Sequence, residues 1–236
     1  MSDRRQLPLA LAHRPSWTTE DYLVAESNRE AIRWIEQWPA WHTRALVLWG
    51  PAGCGKTHLC HLFLGRSRGV LVDHDVLRLD LAIDVASRAS ACIVDDADRA
   101  VADGLEEPLL HLHNTLAERG GRLLLTAALP PARWSIRLAD LGSRLNAAAS
   151  VGIGAPDDPL IAGLMVKLFA DRRLRVDDEV ILYALPRIER SFAAARRLVA
   201  DLDAAALGTR RKITVALLRE VLQQHTEDAG ASHEPG

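Results

Sequence analysis

The stretch ALVLWGPAGCGKTHLCHLFL, residues 45–64, decides the fold of this chain. The apolar run ALVLW (45–49) leads into GPAGCGKT (50–57), which matches the pattern G-x-x-x-x-G-K-[ST], and an apolar helical pattern follows. Glycines in this pattern let backbone N–H groups turn inward around phosphate oxygens, and the following helix directs its positive end at the same anion. A strand, a phosphate-binding loop and a helix in this order predict a nucleotide-binding site.

The loop residues have separate expected roles. The Lys56 ammonium can reach the terminal phosphates, and the Thr57 hydroxyl can hold Mg²⁺. We expect the loop and the first helical residues to contact the nucleotide: Gly50, Pro51, Ala52, Gly53, Cys54, Gly55, Lys56, Thr57 and His58. The expected ligands are therefore ATP or ADP together with Mg²⁺.

Further apolar runs predict a sheet around this loop. They are GVLVD (69–73), ACIVD (91–95), RLLLT (122–126) and a weaker SVGI (150–153). Strands that alternate with helices indicate crossover connections and a parallel sheet with covered faces. We therefore predict an α/β domain whose five-stranded parallel sheet binds ligand at the carboxyl ends of its strands.

Polar residues at two strand ends are candidates for chemistry. In ACIVDDAD (91–98), Asp95 reaches the ligand edge, where its carboxylate can hold Mg²⁺, and Asp96 can orient or activate the attacking water. We expect Asp98 to be solvated. The hydroxyl of Thr126 either senses the γ-phosphate or simply finishes its strand.

After GAPDDP (154–159) the periodicity becomes helical. Helical patterns cover 159–172, 177–185, 190–206 and 214–224. Asp157 or Asp158 is the expected cap of the first helix, and Thr214 that of the last. We expect an N-terminal peptide over 1–14, a nucleotide-binding α/β domain over 15–155, an all-helical domain over 156–225 and a frayed tail over 226–236.

Composition narrows the class of protein. The 236 residues are 48% hydrophobic, which suffices for a core, and their net charge of −2 argues against broad coating of nucleic acid. The cysteines, Cys54, Cys60 and Cys92, have no metal-binding spacing, and their odd number fits reduced thiols. Neither a signal peptide nor a run of ~20 apolar residues is present. We expect a cytoplasmic protein that does not contact the membrane.

Together these motifs resemble the AAA+ family and, within it, the DnaA branch of bacterial replication initiators. The resemblance runs from about residue 16 to 224 and is carried, in order, by TEDYLVAESNREAI (19–32), CGKTHL (54–59), IVDDAD (93–98), LPPARW…LADLGSRL (129–145) and RLRVDDEVILYALPRI (173–188). It implies a P-loop domain followed by a small helical lid domain. It also implies that residues 19–32 lie near the adenine of the bound nucleotide.

The resemblance also gives Arg144 a role. From the residues alone, a surface arginine is the safer interpretation of Arg144 in DLGSRL (140–145). The resemblance implies an arginine finger that enters a partner's active site and stabilises charge on the transferring phosphoryl group.

The lid departs from the DnaA pattern at its nucleotide-sensing arginine. RSFAAARRL (190–198) places Ala193 in that position, and Arg190 or Arg196 would substitute, depending on the helix phase. We therefore expect weak intrinsic ATPase activity and ADP as the resting ligand.

The N-terminal RRQLPLALAH (4–13) contains alternating leucines, and Pro8 blocks a regular helix. Such a strip either straps the protein's own sheet or docks in a partner's groove. DnaA-related regulators without a DNA-binding domain begin with a similar segment that binds the DNA polymerase sliding clamp. The corresponding residues here are Gln6, Leu7, Leu9 and Leu11.

The resemblance implies a clamp-held regulator that docks on ATP-bound DnaA, promotes hydrolysis of its ATP and so prevents re-initiation. The sequence stops where DnaA continues into a helix-turn-helix domain, so we expect no sequence-specific DNA binding; homo-oligomers are an open alternative. The second candidate is a self-sufficient AAA+ ATPase that resembles helicase loaders and turns over ATP through Asp96. A small-molecule kinase is disfavoured, because nothing resembles a substrate-binding insertion.

Overall fold

The structure of the chain, a computed structural model, describes residues 24–78, 81–209 and 211–231. The expected clamp-binding residues Gln6, Leu7, Leu9 and Leu11 lie outside the described residues.

Within the described part of the chain, five strands form one sheet. They are β1 (Ala45–Trp49), β2 (Val70–Leu71), β3 (Ala91–Val94), β4 (Arg122–Ala127) and β5 (Ala149–Gly152). Their order is β2-β3-β4-β1-β5, and every neighbouring pair is parallel. The predicted five-stranded parallel sheet is therefore confirmed, and all carboxyl ends share one edge.

Strand β2 differs from its prediction. The run 69–73 predicts a buried strand, yet only Val70 and Leu71 pair with β3, and both side chains are exposed. The reason is that β2 lies at the edge of the sheet, where one side has no neighbouring strand. Only Val72, just beyond the strand, enters the core.

Helices cover both faces of the sheet. They are α1 (Arg29–Glu36), α2 (Lys56–Ser67), α3 (His74–Arg78), α4 (Ala82–Arg88), α5 (Ala97–Ala102), α6 (Glu106–Glu118) and α7 (Ala139–Asn146). Side chains of β1 alternate between two cores: Ala45 and Val47 pack with α3–α7, whereas Leu46 and Leu48 pack with α1 and α2. Burial on both faces explains why the central strands read as continuous apolar runs.

The remaining described helices build a separate core. They are α8 (Asp158–Asp171), α9 (Asp178–Ala184), α10 (Phe192–Thr209) and α11 (Val215–Ala231), and their buried residues run from Ile161 to Val221. Of the two candidate caps, Asp157 is the one used: its Oδ1 accepts a hydrogen bond from Leu160 N at 2.9 Å. Thr214 Oγ1 accepts one from Leu217 N at 3.4 Å.

Helix α11 continues to Ala231 instead of ending near 224, so the segment predicted to be a frayed tail is helical in part. Glu227, Ala229 and Ala231 in this segment favour helix, and no proline interrupts it before residue 235. None of the described helices is long and apolar enough to cross a bilayer.

Candidate nucleotide-binding site

The phosphate-binding loop connects β1 to α2. Gly55 at its end has a φ of 100°, a left-handed conformation that favours glycine, and α2 begins at the next residue, Lys56. The Lys56 ammonium donates hydrogen bonds to the carbonyl oxygens of Gly50 at 2.8 Å and Pro51 at 3.0 Å. The lysine thus lies folded over the loop, within reach of the phosphates that such a loop binds.

Asp95 brings the expected metal-binding and catalytic residues together. Thr57 Oγ1 donates to its Oδ2 at 2.9 Å, and Thr126 Oγ1 donates to its Oδ1. The backbone N–H of Asp96 donates in turn to Thr126 Oγ1 at 3.0 Å. Residues from α2, β4 and the loop after β3 therefore form one hydrogen-bonded network.

The donor set of this network fits Mg²⁺. The hydroxyl of Thr57 and the carboxylate of Asp95 are hard oxygen ligands. Among the described residues, no group of three or more His, Cys, Asp or Glu side chains is arranged to hold a metal. Mg²⁺ commonly binds to one or two protein oxygens and completes its shell with substrate phosphates and water, so the site suits a nucleotide-bound ion.

Two further residues shape the network around Asp95. His74 Nε2 lies 3.1 Å from the Asp95 carbonyl oxygen, and Cys60 Sγ lies 3.9 Å from Asp95 Oδ1. Burial, together with the negative charge of Asp95, raises the pKa of Cys60 well above its ordinary value, so its thiol stays neutral. Sequence reasoning missed both contacts because they join segments far apart along the chain.

The prediction that Asp98 is solvated is wrong. Its Oδ2 accepts a hydrogen bond from Ala128 N at 2.8 Å, and its Oδ1 accepts one from Arg99 N at 3.1 Å. Asp98 thereby ties the segment after β3 to the segment after β4. Asp96, by contrast, is exposed at the ligand edge, with a φ of 51°.

The lid touches the loop directly at Gly53. Phe192 N donates to the Gly53 carbonyl oxygen at 3.2 Å, and a Cβ built on Gly53 would lie 2.5 Å from Ser191 Cβ. Gly53 also has a φ of 72°. The start of α10 is thus seated on the loop, and the close approach requires glycine.

The lid arginines separate into different roles. Ala193 lies in the first turn of α10 and is exposed. Arg190 donates to both carboxylate oxygens of Asp158, at 2.8 and 3.1 Å, and so joins the starts of α8 and α10. Arg196 is half-buried, and burial lowers its pKa. Two arginines are candidates to replace the nucleotide-sensing arginine. Arg190 binds another lid residue, and the sensing role of Arg196 stays a prediction.

The segment before α1 lies beside the loop. Gly154 N donates to the Ser27 carbonyl oxygen at 3.0 Å, and the buried Asn28 side chain accepts a hydrogen bond from Ala25 N at 2.8 Å. Ile153 is close to the loop as well, since a Cβ built on Gly50 would lie 2.3 Å from its carbonyl oxygen. This position agrees with a segment that flanks the nucleotide.

Arg144 lies at the opposite end of the sheet. It pairs with Asp140 on α7, with Nε 3.1 Å from Oδ1, and lines a cavity with Arg44 and Ala45 at the start of β1. The loop begins at Gly50, after β1 ends. Five residues of strand span about 16 Å at ~3.3 Å each, so Arg144 is remote from its own phosphate-binding loop.

Comparisons with known proteins agree with this geometry. Residues 164–222 match the family model described as the Hda lid domain. The chain superposes on domain III of Thermotoga maritima replication initiation protein DnaA with a TM-score of 0.78, at 17% identity, over 89% of this chain and 97% of that one.

AMPPCP-bound DnaA from Aquifex aeolicus superposes with a TM-score of 0.74, at 16% identity, over 91% of this chain and 71% of that one. The Thermotoga maritima RuvB Holliday junction branch migration motor superposes with a TM-score of 0.68, at 15% identity, over 89% of this chain and 72% of that one.

The fold and the site define a P-loop protein with an α/β domain and a helical lid. Its fold is similar to that of DnaA domain III, and its residues 164–222 match the Hda lid-domain model.

The contact between the loop and the lid predicts the effect of Gly53→Ala. This change strains a left-handed backbone position and pushes a methyl group into Ser191. It should therefore lower the melting temperature by more than a variant that has the backbone strain without the clash. Gly120→Ala is the matched control, since Gly120 has a φ of 74° and nothing within 4 Å of an added Cβ. Equal loss of melting temperature in both variants would contradict the lid contact.

Proposed function

We propose that this chain is a nucleotide-binding regulator of replication initiation that acts on DnaA. The observation that carries the proposal is the Hda-type lid over 164–222 on a DnaA-like AAA+ fold. In this role the chain stimulates hydrolysis of DnaA-bound ATP and so prevents re-initiation. The boundary between its α/β and lid domains falls near residue 155, because the lid core begins at Ile161.

The nucleotide binds in the loop at 50–58. The Lys56 ammonium, now bonded to loop carbonyls, would contact the phosphates. Thr57 and Asp95, whose side chains already contact each other, would hold Mg²⁺. Thr126, bonded to the same carboxylate, senses the γ-phosphate, while the exposed Asp96 orients the attacking water. AMPPCP is bound by the DnaA of Aquifex aeolicus, which supports an adenine nucleotide here.

Arg144 acts on the nucleotide of DnaA rather than on its own. Its place at the amino-terminal end of the sheet supports this assignment, because the phosphate-binding loop lies at the other end. The exposed pair with Asp140 holds the guanidinium weakly in the free protein. On docking, Arg144 exchanges this carboxylate for the charge that develops on the transferring phosphoryl group.

The N-terminal residues Gln6, Leu7, Leu9 and Leu11 bind the sliding clamp. A proline-stiffened, extended peptide loses little conformational entropy when it docks, and alternating leucines suit a hydrophobic groove. Clamp binding would restrict the regulator to DNA on which a clamp has been loaded.

A self-sufficient ATPase that remodels a helicase is the second candidate. The network of Asp95, Thr57 and Thr126, next to an exposed Asp96, favours it because these groups suffice to hold a metal and orient water. Ala193 at the expected sensor position favours weak turnover and retained ADP instead. Vigorous ATP hydrolysis by the isolated protein would support the second candidate.

Lys56→Ala should abolish most adenine-nucleotide affinity, because the Lys56 ammonium is the only positively charged side chain in residues 50–57. Isothermal titration with ADP and Mg²⁺ measures the loss. Lys212→Ala, at an exposed lysine on the lid, is the matched control and should bind as the parent protein does. Unchanged affinity in Lys56→Ala would overturn the site assignment.

Arg144→Ala should leave nucleotide binding and fold intact but abolish stimulation of DnaA's ATP hydrolysis. An arginine finger is worth about 10³–10⁵ in rate in other nucleotide hydrolases. Arg88→Ala is a suitable control, because Arg88 also forms an exposed i,i+4 pair, with Asp84 at 2.9 Å. Normal stimulation by Arg144→Ala, measured as phosphate release from preloaded DnaA, would remove this role.

Replacing Leu9 and Leu11 by alanine should weaken clamp affinity by about two orders of magnitude, at roughly 1.5–3 kcal/mol per buried side chain. Surface plasmon resonance on immobilised clamp measures this affinity. The control replaces the exposed Leu182 and Leu207. If melting temperature falls sharply while clamp binding is unchanged, these N-terminal leucines cover the protein's own core.

A further inference from the structure

A basic cavity of about 450 Å³ opens at the amino-terminal end of the sheet. The loop before β1, helices α6 and α7, and the start of β5 contribute its walls: His42, Thr43, Arg44, Ala45, His113, Arg144, Ala147, Ala148 and Ala149. Two arginines and two histidines are among these residues, and none of them is acidic. The cavity walls therefore carry two guanidinium groups, one of which pairs with Asp140 on α7.

His113 gives this cavity a buried imidazole with one unsatisfied nitrogen. Its side chain is 6% exposed, and its Nδ1 has no hydrogen-bond partner in the part of the chain that the structure describes. Buried polar atoms are almost always satisfied in folded proteins. An unsatisfied nitrogen on a residue that lines the cavity is a candidate donor to a ligand bound there.

The two arginines are available to the same ligand. Arg44 is exposed at the mouth of the cavity. Arg144 pairs with Asp140 on α7, and such an exposed i,i+4 pair is weak. A guanidinium offers several N–H donors in a planar fork that matches a tetrahedral oxyanion.

Electrostatics keep His113 neutral until an anion arrives. Burial lowers its pKa and the Arg144 charge lowers it further, against the Asn114 side chain and Asp140, which raise it. His42 and Arg44 approach from the loop before β1. A neutral imidazole can donate from Nδ1 in one tautomer, and a bound anion stabilises its protonated form.

We propose that this cavity is an oxyanion site, which takes a phosphate or sulfate group between Arg44, Arg144 and Nδ1 of His113. The inference deepens the proposed function and rests on it in part, because Arg144 belongs to both. The phosphoryl group has two sources: the nucleotide held by a docked partner, or free phosphate. The cavity is large compared with the ~30 Å³ that one water occupies in the liquid, so it has room for either.

The first experiment titrates the full chain with sulfate, with ADP and Mg²⁺ saturating so that the phosphate-binding loop is filled. The histidine ring resonances in NMR are the readout. Saturable shifts of the His113 ring are expected, and Arg44→Gln, at an exposed position, should weaken sulfate binding at least tenfold.

The pH profile separates an anion ligand from a structural histidine. Sulfate keeps its charge between pH 8 and 5.5, whereas bound sulfate raises the pKa of His113. Affinity should therefore increase as pH falls through the raised pKa and level off below the pKa of the free protein. His113→Gln should abolish this pH dependence, and His42→Gln, in the same cavity, should keep it.

The second experiment measures stimulation of DnaA's ATP hydrolysis by the same variants, with and without inorganic phosphate. Saturable phosphate binding that inhibits stimulation supports the free anion as ligand. Absence of free-anion binding, with at least tenfold loss of stimulation in Arg44→Gln and in His113→Gln, supports the partner's nucleotide.

If these variants show no anion binding and no loss of stimulation, the cavity proposal is overturned. This holds even if Arg144→Ala abolishes stimulation and the proposed function stands. Conversely, saturable sulfate binding with normal stimulation by Arg144→Ala supports the cavity and overturns the function proposed for Arg144.

Discussion

The Asp95 carboxylate is the contact on which the nucleotide site depends. One of its oxygens accepts a hydrogen bond from Thr57 at the start of α2, and the other accepts one from Thr126 in β4. The three segments meet because β4 lies between β3 and β1, and because parallel strands bring their carboxyl ends to one edge. The strand order therefore determines which side chains share the site. Neutral Cys60 beneath the carboxylate adds no competing charge.

The phosphate-binding loop is held from two sides. Thr57 ties its end to the sheet through Asp95, while Gly53 in its middle receives the backbone N–H of Phe192 from the lid. A ligand that draws the Lys56 ammonium away from the Gly50 carbonyl changes the contacts of this loop. Because Ser191 packs against Gly53 without room for a methyl group, we expect such a change to be transmitted to the lid. This packing therefore predicts that nucleotide binding and lid position are coupled.

Sequence patterns predict the central part of this fold well and its periphery poorly. Strands β1, β3 and β4 are buried on both faces, so they appear as unbroken apolar runs bounded by polar residues. Strand β2 has the same apolar character but lies at an edge, and its exposure depends on strand order, which no local pattern contains. The bond from Ala128 to Asp98 likewise joins two loops that only the sheet brings together.

The candidate sites, like the fold, divide into features that local sequence predicts and features that depend on packing. The loop, Asp95 and Thr126 follow from motif spacing and strand ends, because a parallel sheet converts those positions into neighbours. The basic cavity does not, since Arg44, His113 and Arg144 come from three elements that packing alone assembles. Local sequence also leaves Arg190 and Arg196 as alternatives for the sensing arginine, and only the folded lid shows that Arg190 binds Asp158.

Strand β1 runs between the two candidate sites of the molecule. Arg44 precedes it at the basic cavity, and Gly50 follows it at the phosphate-binding loop, about 16 Å away by the rise of a strand. A protein that offers an arginine at one end and a nucleotide at the other docks head to tail, with different surfaces in contact. Under the proposed function, DnaA and a second copy of this chain would therefore compete for the cavity face. Occupation of the cavity by a free oxyanion would weaken both contacts, because it engages the arginine that each of them needs.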